Sequence, residues 1–150
     1  MVALPRIAKA EDDPRELKRL ILTCLASCLP VALGCTAVVY ASAPFLANVV
    51  YRMADLTALF RAGAPLTALF ALSHLLGSVT TALGQQKRSM YGAVAVSGTT
   101  LALTCLLAAM PGMRLYGVIA AQAAGQILIL LWNTGILALW RRERRAVAHA

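Results

Sequence analysis

Seven polar side chains stand within otherwise apolar stretches, and their chemistry could bind a polar molecule. They are one guanidinium, one imidazole, one hydroxyl and four amides: Arg61, His74, Ser78, Gln85, Gln122, Gln126 and Asn133. Hydroxyls and amides bind neutral polar groups, whereas a guanidinium could hold an anionic headgroup or a phosphate. The apolar stretches contain no Asp, Glu or Lys, so they offer no paired carboxylates for catalysis. We therefore expect a binding or transport function, no enzymatic activity and no cofactor.

The first polar stripe lies in a run from Ala62 to Gln86 that has His74 as its one titratable side chain. In a helix this run would be ~37 Å long, enough to cross a hydrocarbon core of ~30 Å. His74, Ser78, Thr81 and Gln85 have the spacing i, i+4, i+7 and i+11, which places them on one helical face. Pro65 interrupts this run and predicts a kink or a loosened turn near the start of the helix. Because lipid cannot satisfy a polar stripe, we expect this face to meet other helices or water.

A second stripe lies in the last apolar stretch, where Gln122, Gln126 and Asn133 share a face at i, i+4 and i+11. Beside it, Gly117, Ala121 and Gly125 form a ridge of small residues that predicts close approach by another helix. Two interpretations of the amides stay open: they form hydrogen bonds between helices, or they line a cavity. Weaker polar positions in the preceding stretch are Ser97, Thr100 and Thr104.

Arg61 and the cysteines also have two interpretations each. Arg61 lies near one end of its helix, so it could extend to the lipid headgroups or bind an anionic ligand. Cys24, Cys28 and Cys35 share a helical face, which could suggest a metal site. No His or carboxylate is nearby in that stretch to complete such a site, so we predict packing residues and no metal.

Composition predicts that these residues lie in a membrane. The chain is 60% hydrophobic and only 13% charged, whereas soluble domains have about 25% charged residues. We predict an all-α protein with four transmembrane helices at about 17–42, 56–86, 90–110 and 115–140. Pro44 should end the first helix, 45–52 should form a short surface segment, and 111–114 should form a tight turn. The predicted regions are 1–13, a polar N-terminal segment, 14–140, the transmembrane domain, and 141–150, a basic tail.

The placement of Lys and Arg predicts the orientation. Eleven lie within residues 1–19, in the loop after the second helix and in the tail, whereas Arg52, Arg61 and Arg114 lie on the other side. Basic residues accumulate on the cytoplasmic side, so both termini should be cytoplasmic. The net charge of +8 could also suggest nucleic-acid binding, but the basic residues lie between apolar blocks and not along one face, so we expect no nucleic acid partner.

Several short motifs, in order, resemble those of a transporter family. The motifs are VALPRIAKA at 2–10 with LKR at 17–19, APFL at 43–46 with LFRAGAP at 59–65, TALGQQKR at 81–88, and Pro111 followed by LYGVIAA at 115–121. In the proteins of that family, the first motif resembles the link before the ninth helix, and the second and third resemble the start and the end of the tenth helix. The fourth resembles the P-x-x-G-x-x-G-A start of the twelfth helix, with Ala in place of the second Gly. The family is that of the stage V sporulation protein B and polysaccharide-biosynthesis flippases, of the multidrug/oligosaccharidyl-lipid/polysaccharide superfamily.

This resemblance, over about residues 2–140, implies the last four helices of a six-helix flippase lobe in a bacterial plasma membrane. It implies alternating access for a lipid-linked oligosaccharide or a peptidoglycan precursor, with the seven polar residues above as candidates for the substrate cavity. The family has two lobes of six helices that move against each other, so the chain should need a second lobe or a second copy. It would then be either a part of a split or truncated flippase, or a small protein that has the same fold. The alternatives are an assembly subunit that transports nothing and a homo-oligomeric transporter of small solutes.

Overall fold

The computed structural model describes residues 14–148, which are helical with short connections and include no β-strand. Four helical segments are long and apolar enough to cross a membrane: Arg19–Val50, Leu56–Ala82, Gln86–Ala109 and Arg114–Arg144, here spans one to four. The chain is thus a multi-pass membrane protein, and the prediction of an all-α fold with four hydrophobic helices is confirmed for these residues. The predicted features of residues 1–13 lie outside the described part.

Span one is longer than predicted. Helix α1 (Pro14–Phe45) contains both Pro30 and Pro44, and it continues into a π-helical segment, Leu46–Val50. The expectation that Pro44 ends the helix and that 45–52 forms a separate surface segment was therefore wrong. Proline lacks an N–H and crowds the preceding turn, and the wider π-helical bonds that follow it, such as Tyr51 N–H to Leu46 O at 3.0 Å, accommodate the chain without breaking the helix.

Span two consists of α2 (Leu56–Gly63) and α3 (Pro65–Ala82). The predicted interruption at Pro65 is confirmed, although Ala64 keeps helical dihedral angles of −54° and −42°. Helix α3 ends before the predicted boundary at 86, because Gly84 adopts a φ of +72°. Hydrogen bonds from Gly84 N to Thr81 O and from Gln85 N to Thr80 O, at 3.1 and 3.0 Å, form a Schellman motif that turns the chain.

Spans three and four form an antiparallel pair. They are α4 (Gln86–Ala109) and α5 (Arg114–Ala148), so α5 continues well past the apolar stretch into the basic tail. The predicted turn between them is present, and the Met113 N–H bonds to the Met110 carbonyl oxygen at 3.1 Å. The first central position of this turn is Pro111, whose fixed φ suits it.

The spans pack in the order one, two, four, three, because span four lies between spans two and three. Near the basic tail, a core cluster of Val79, Leu83, Leu137 and Trp140 joins spans two and four. Leu20, Ile21 and Cys24 of span one pack against the same cluster. Spans two and three contact each other only weakly, so the row of helices is open on that side.

The small-residue ridge of span four packs against span three. Gly117, Ala121 and Gly125 are buried, and a Cβ atom at Gly117 would lie 2.7 Å from the Leu107 carbonyl oxygen. A Cβ atom at Gly125 would collide with the Thr100 side chain. The prediction of close helix approach at this ridge is confirmed, and the helix that approaches belongs to the chain itself.

A candidate polar binding groove

A groove of about 870 Å³ lies between spans two, three and four. Span four forms its floor and spans two and three its sides, because span four packs against both of them while they contact each other only weakly. On span three the groove extends from Ser89 to Thr104, a helical distance of about 22 Å. Its polar lining consists of hydroxyl, amide and imidazole groups, namely Ser73, His74, Ser78, Thr81, Ser89, Ser97, Thr100, Thr104, Gln122, Gln126 and Asn133.

Five of the seven residues singled out in the sequence line this groove: His74, Ser78, Gln122, Gln126 and Asn133. The two polar stripes thus face a common space, one from span two and one from span four. His74 and Ser78 are exposed there, whereas Asn133 is only 2% exposed and lies at the floor. The weaker candidates of span three, Ser97, Thr100 and Thr104, complete the opposite side.

Gln85 and Arg61 are not part of the groove lining. The periodicity that placed Gln85 on the stripe assumed a helix to 86, whereas the turn at Gly84 places it in the connection between spans two and three. Arg61 lies near the other end of span two, with its guanidinium carbon 5.2 Å from the centroid of the Tyr40 ring. This cation–π contact with span one is a partner for Arg61 that the sequence did not indicate.

Hydrogen bonds between spans hold two of the amides in place. The Ser73 hydroxyl lies 2.6 Å from Oε1 of Gln126, and the Ser89 hydroxyl donates to Oδ1 of Asn133 at 3.2 Å. The Thr80 hydroxyl is 3.5 Å from Ser89, at the edge of hydrogen-bond distance. The two interpretations of these amides are therefore compatible, since Gln126 and Asn133 connect helices and also line a cavity.

Sequence reasoning missed Ser73 and Ser89, the partners of these amides. Ser73 precedes His74 and so lies about 100° away from the predicted stripe, and Ser89 directly follows the basic pair Lys87 and Arg88 in the first turn of α4. The available signal was the excess of small hydroxyl residues in the three spans. This excess could not identify which hydroxyl bonds to which amide, because the polar spacing within one helix does not determine how that helix is rotated against its neighbour.

The hydroxyl groups present mainly acceptor atoms to the groove. Their protons bond to carbonyl oxygens of their own helices: Ser78 to His74 at 2.8 Å, Thr81 to Gly77 at 2.9 Å, and Thr100 and Thr104 to the preceding turns at 2.7 Å each. Gln126 and Asn133 accept bonds through oxygen, which leaves their NH₂ groups as donors. The groove thus offers both acceptors and donors without a formal charge from Asp, Glu, Lys or Arg among its lining residues.

Within residues 14–148, no group of three or more His, Cys, Asp or Glu side chains is arranged to hold a metal ion. Cys24 is half-buried against the core cluster, as expected of a packing residue.

Most of the described basic side chains lie at one end of the molecule. Arg88, at the start of span three, forms an ion pair of 3.2 Å with Glu143 at the end of span four, and each side chain is about half exposed. The Trp132 indole N–H donates to the Arg88 carbonyl oxygen at 3.1 Å, and the absence of a side chain at Gly92 makes room for the indole ring. The basic pair at the start of span three and the basic tail are therefore on the same side of the molecule.

Comparison with known proteins yields no relative for this chain: no protein-family model, no curated protein and no solved structure matches it.

Proposed function

We propose that this protein is a transport subunit whose groove binds the polar head of a lipid-linked saccharide as it crosses the membrane. The observation that carries the proposal is the uncharged polar lining of a groove formed within three apolar spans. Sugar hydroxyls donate and accept hydrogen bonds, and the groove presents hydroxyl oxygens as acceptors beside amide NH₂ groups as donors. The motif resemblance to polysaccharide flippases favours the same class of substrate.

The open side of the groove suits a substrate with a lipid tail. His74, Ser78, Thr81 and Ser97 are exposed along it, between spans two and three. A saccharide could bind to these side chains while its lipid tail remains in the surrounding bilayer. In this proposal, the plasma membrane of a bacterium is the location, and a second lobe or second copy covers the open side and provides the alternating access.

The second candidate is an assembly subunit that transports nothing. It is favoured by the hydrogen bonds that Gln126 and Asn133 already form within the chain, because such bonds are a common way to hold membrane helices together. In this case the open side would receive a polar helix face of a larger partner.

The test is transport of a fluorescent lipid-linked saccharide in vesicles, either by the purified protein or by the complex in which it is isolated. Gln126→Leu and His74→Leu should abolish transport and leave the amount of protein unchanged. The matched control is Thr99→Val, because Thr99 is an exposed hydroxyl residue of span three that is not part of the groove lining. Normal transport by a stable Gln126→Leu protein would contradict the proposal, and a loss of abundance or of complex formation would favour the assembly subunit.

A further inference from the structure

The basic end of the molecule carries more positive charge than its own acidic groups balance. Its described side chains include six cations and two carboxylates: Arg19, Lys87, Arg88, Arg141, Arg142, Arg144, Glu16 and Glu143. All eight side chains are exposed, and three spans contribute to the cluster. The ion pair of Arg88 with Glu143 brings the two basic segments 87–88 and 141–144 together.

An exposed apolar stripe begins at the same place on span three. Tyr91, Val94 and Leu101 are 76%, 71% and 67% exposed, and Leu101 also borders the groove. With Lys87 they have the spacing i, i+4, i+7 and i+14, so the ammonium group lies at the head of this stripe on one helical face. Span three is the last helix of the row, so none of the other three spans covers this face.

We propose that this surface is a binding site for an anionic phospholipid. The phosphate of the headgroup contacts Lys87 and the arginines at 141 and 142, and the acyl chains lie along Tyr91, Val94 and Leu101. Lys87 and Leu101 are about 21 Å apart along the helix, which exceeds the ~15 Å depth of one hydrocarbon leaflet. Clusters of four to eight basic residues directly beside a membrane helix attract anionic lipids, and this cluster has that size.

The chemistry of the site favours a lipid over a soluble phosphate. A free phosphate would use the cations alone, whereas a phospholipid also covers the apolar stripe. Both ligands share the phosphate group, so the two must be separated by experiment. The site is also separate from the proposed saccharide site, because none of the eight charged side chains lines the groove.

Glu143 provides a sharp test, because it is the acid that neutralises Arg88. Removal of its charge makes Arg88 available to the phosphate, so Glu143→Gln should strengthen lipid binding, whereas Lys87→Gln and Arg142→Gln should weaken it. Each basic residue near a membrane surface contributes about 1 kcal/mol, so each substitution should change the affinity roughly fivefold. Binding should also weaken as ionic strength rises.

The experiment is native mass spectrometry of the full chain, or of the complex in which it is isolated, in a neutral detergent. Phosphatidylglycerol and phosphatidylcholine with the same acyl chains are titrated separately, and the number of bound lipids is counted. We expect phosphatidylglycerol to be retained and phosphatidylcholine not. Competition is then measured with millimolar inorganic phosphate, and we expect no displacement. Equal retention of both lipids, or displacement by inorganic phosphate, would overturn the proposal.

Matched controls are Arg52→Gln and Arg114→Gln, which remove the same charge at the opposite end, from the connection after span one and from the first residue of α5. These variants should bind phosphatidylglycerol normally, and a loss equal to that of Lys87→Gln would refute the location. Gln126→Leu should likewise retain phosphatidylglycerol, so that failure of the groove proposal and failure of this one are distinguishable. Because Lys87 and Arg142 are exposed, their substitution should leave the helix content unchanged, which circular dichroism can verify.

Discussion

The hydroxyl of Ser73 lies 2.6 Å from Oε1 of Gln126, and this contact connects span two with span four at the side of the groove. The same hydroxyl oxygen is 2.9 Å from the carbonyl oxygen of Phe70, so one proton has two acceptors within reach. A membrane interior provides no water to form hydrogen bonds with an amide, so a side-chain partner stabilises the amide there. Gln126 can therefore occupy the middle of an apolar span.

The first prediction is an energetic coupling between Ser73 and Gln126. Ser73→Ala, Gln126→Leu and the double variant should form a mutant cycle with a coupling of about 0.6 to 2 kcal/mol, the range of membrane hydrogen bonds. The measurement is reversible unfolding in detergent or bicelles. Ser78→Ala is the control, because that hydroxyl bonds only to the His74 carbonyl of its own helix. Additive single substitutions would show that the hydrogen bond does not contribute.

The second prediction concerns Ser89, which donates to the buried Asn133. Ser89→Ala should lower the free energy of unfolding by about 1 to 3 kcal/mol, because Oδ1 of Asn133 loses its donor in a site that is 2% exposed. Ser97→Ala on the same helix is the control, since Ser97 is exposed and should tolerate the change. Equal stability of the two variants would contradict this role of Ser89.

The third prediction uses two glycines of span four. Gly117→Ala should destabilise the protein by about 1 to 3 kcal/mol, because the new Cβ would lie 2.7 Å from the backbone oxygen of Leu107. Gly135→Ala on the same helix has no atom within 4 Å of the new Cβ, so it should be neutral or slightly stabilising. Thermal unfolding in detergent compares the two. If both variants melt alike, span three does not pack against the ridge as closely as described.

The features that depend on a single helix are the ones that the sequence could predict. The lengths of the apolar stretches were sufficient to predict four hydrophobic helices. The spacing of the polar residues was sufficient to predict that His74 and Ser78 lie on one helical face. Both depend on one helix at a time, so they can be derived from local spacing. The turn at Pro111 and the interruption at Pro65 were predictable for the same reason.

The relations between helices were not predictable. The partners of the amides, Ser73 and Ser89, and the contact of Arg61 with Tyr40 depend on the rotation and order of the spans. The continuation of span one through Pro44 was not predicted either, because a proline can precede a π-helical segment as well as the end of a helix. The spacing alone places Gln85 on the stripe, whereas Gly84, with its positive φ, ends α3 before that residue.

The fourth prediction is the orientation, with both termini in the cytoplasm. In a variant without native cysteines, a cysteine at Gly112 should react with an impermeant reagent added outside intact cells, and cysteines at Gln86 or Ala148 should react only after permeabilisation. The charge distribution of eleven Lys and Arg against three is the physical reason. The ion pair between Arg88 and Glu143 holds the start of span three beside the tail, so cysteines at Gln86 and Ala148 should have the same accessibility to the reagent. The reverse pattern would contradict the orientation and the resemblance to flippases.

The fifth prediction is that the chain acts with a partner. The small-residue ridge is covered by span three within the chain, but the exposed polar groups of the groove are not covered by any of the four spans. Lipid cannot satisfy them, so the protein extracted in mild detergent should be a dimer or should co-purify with a larger membrane protein. Light scattering coupled to size-exclusion chromatography measures this. A monodisperse monomer that moves the saccharide substrate in vesicles would refute the prediction.

The order of the helices has a consequence for biosynthesis. A ribosome delivers span three to the membrane before span four, yet span four lies between spans two and three. Until span four enters, Ser73 and Ser89 lack the amides that they bond in the folded structure, and the groove has no floor. A nascent chain that stops at residue 113 would therefore present two hydroxyl-rich helices with no common partner. Insertion of span four supplies these amides and completes the groove, so the hydrogen bonds of Ser73 and Ser89 between spans form only after three spans have entered the membrane.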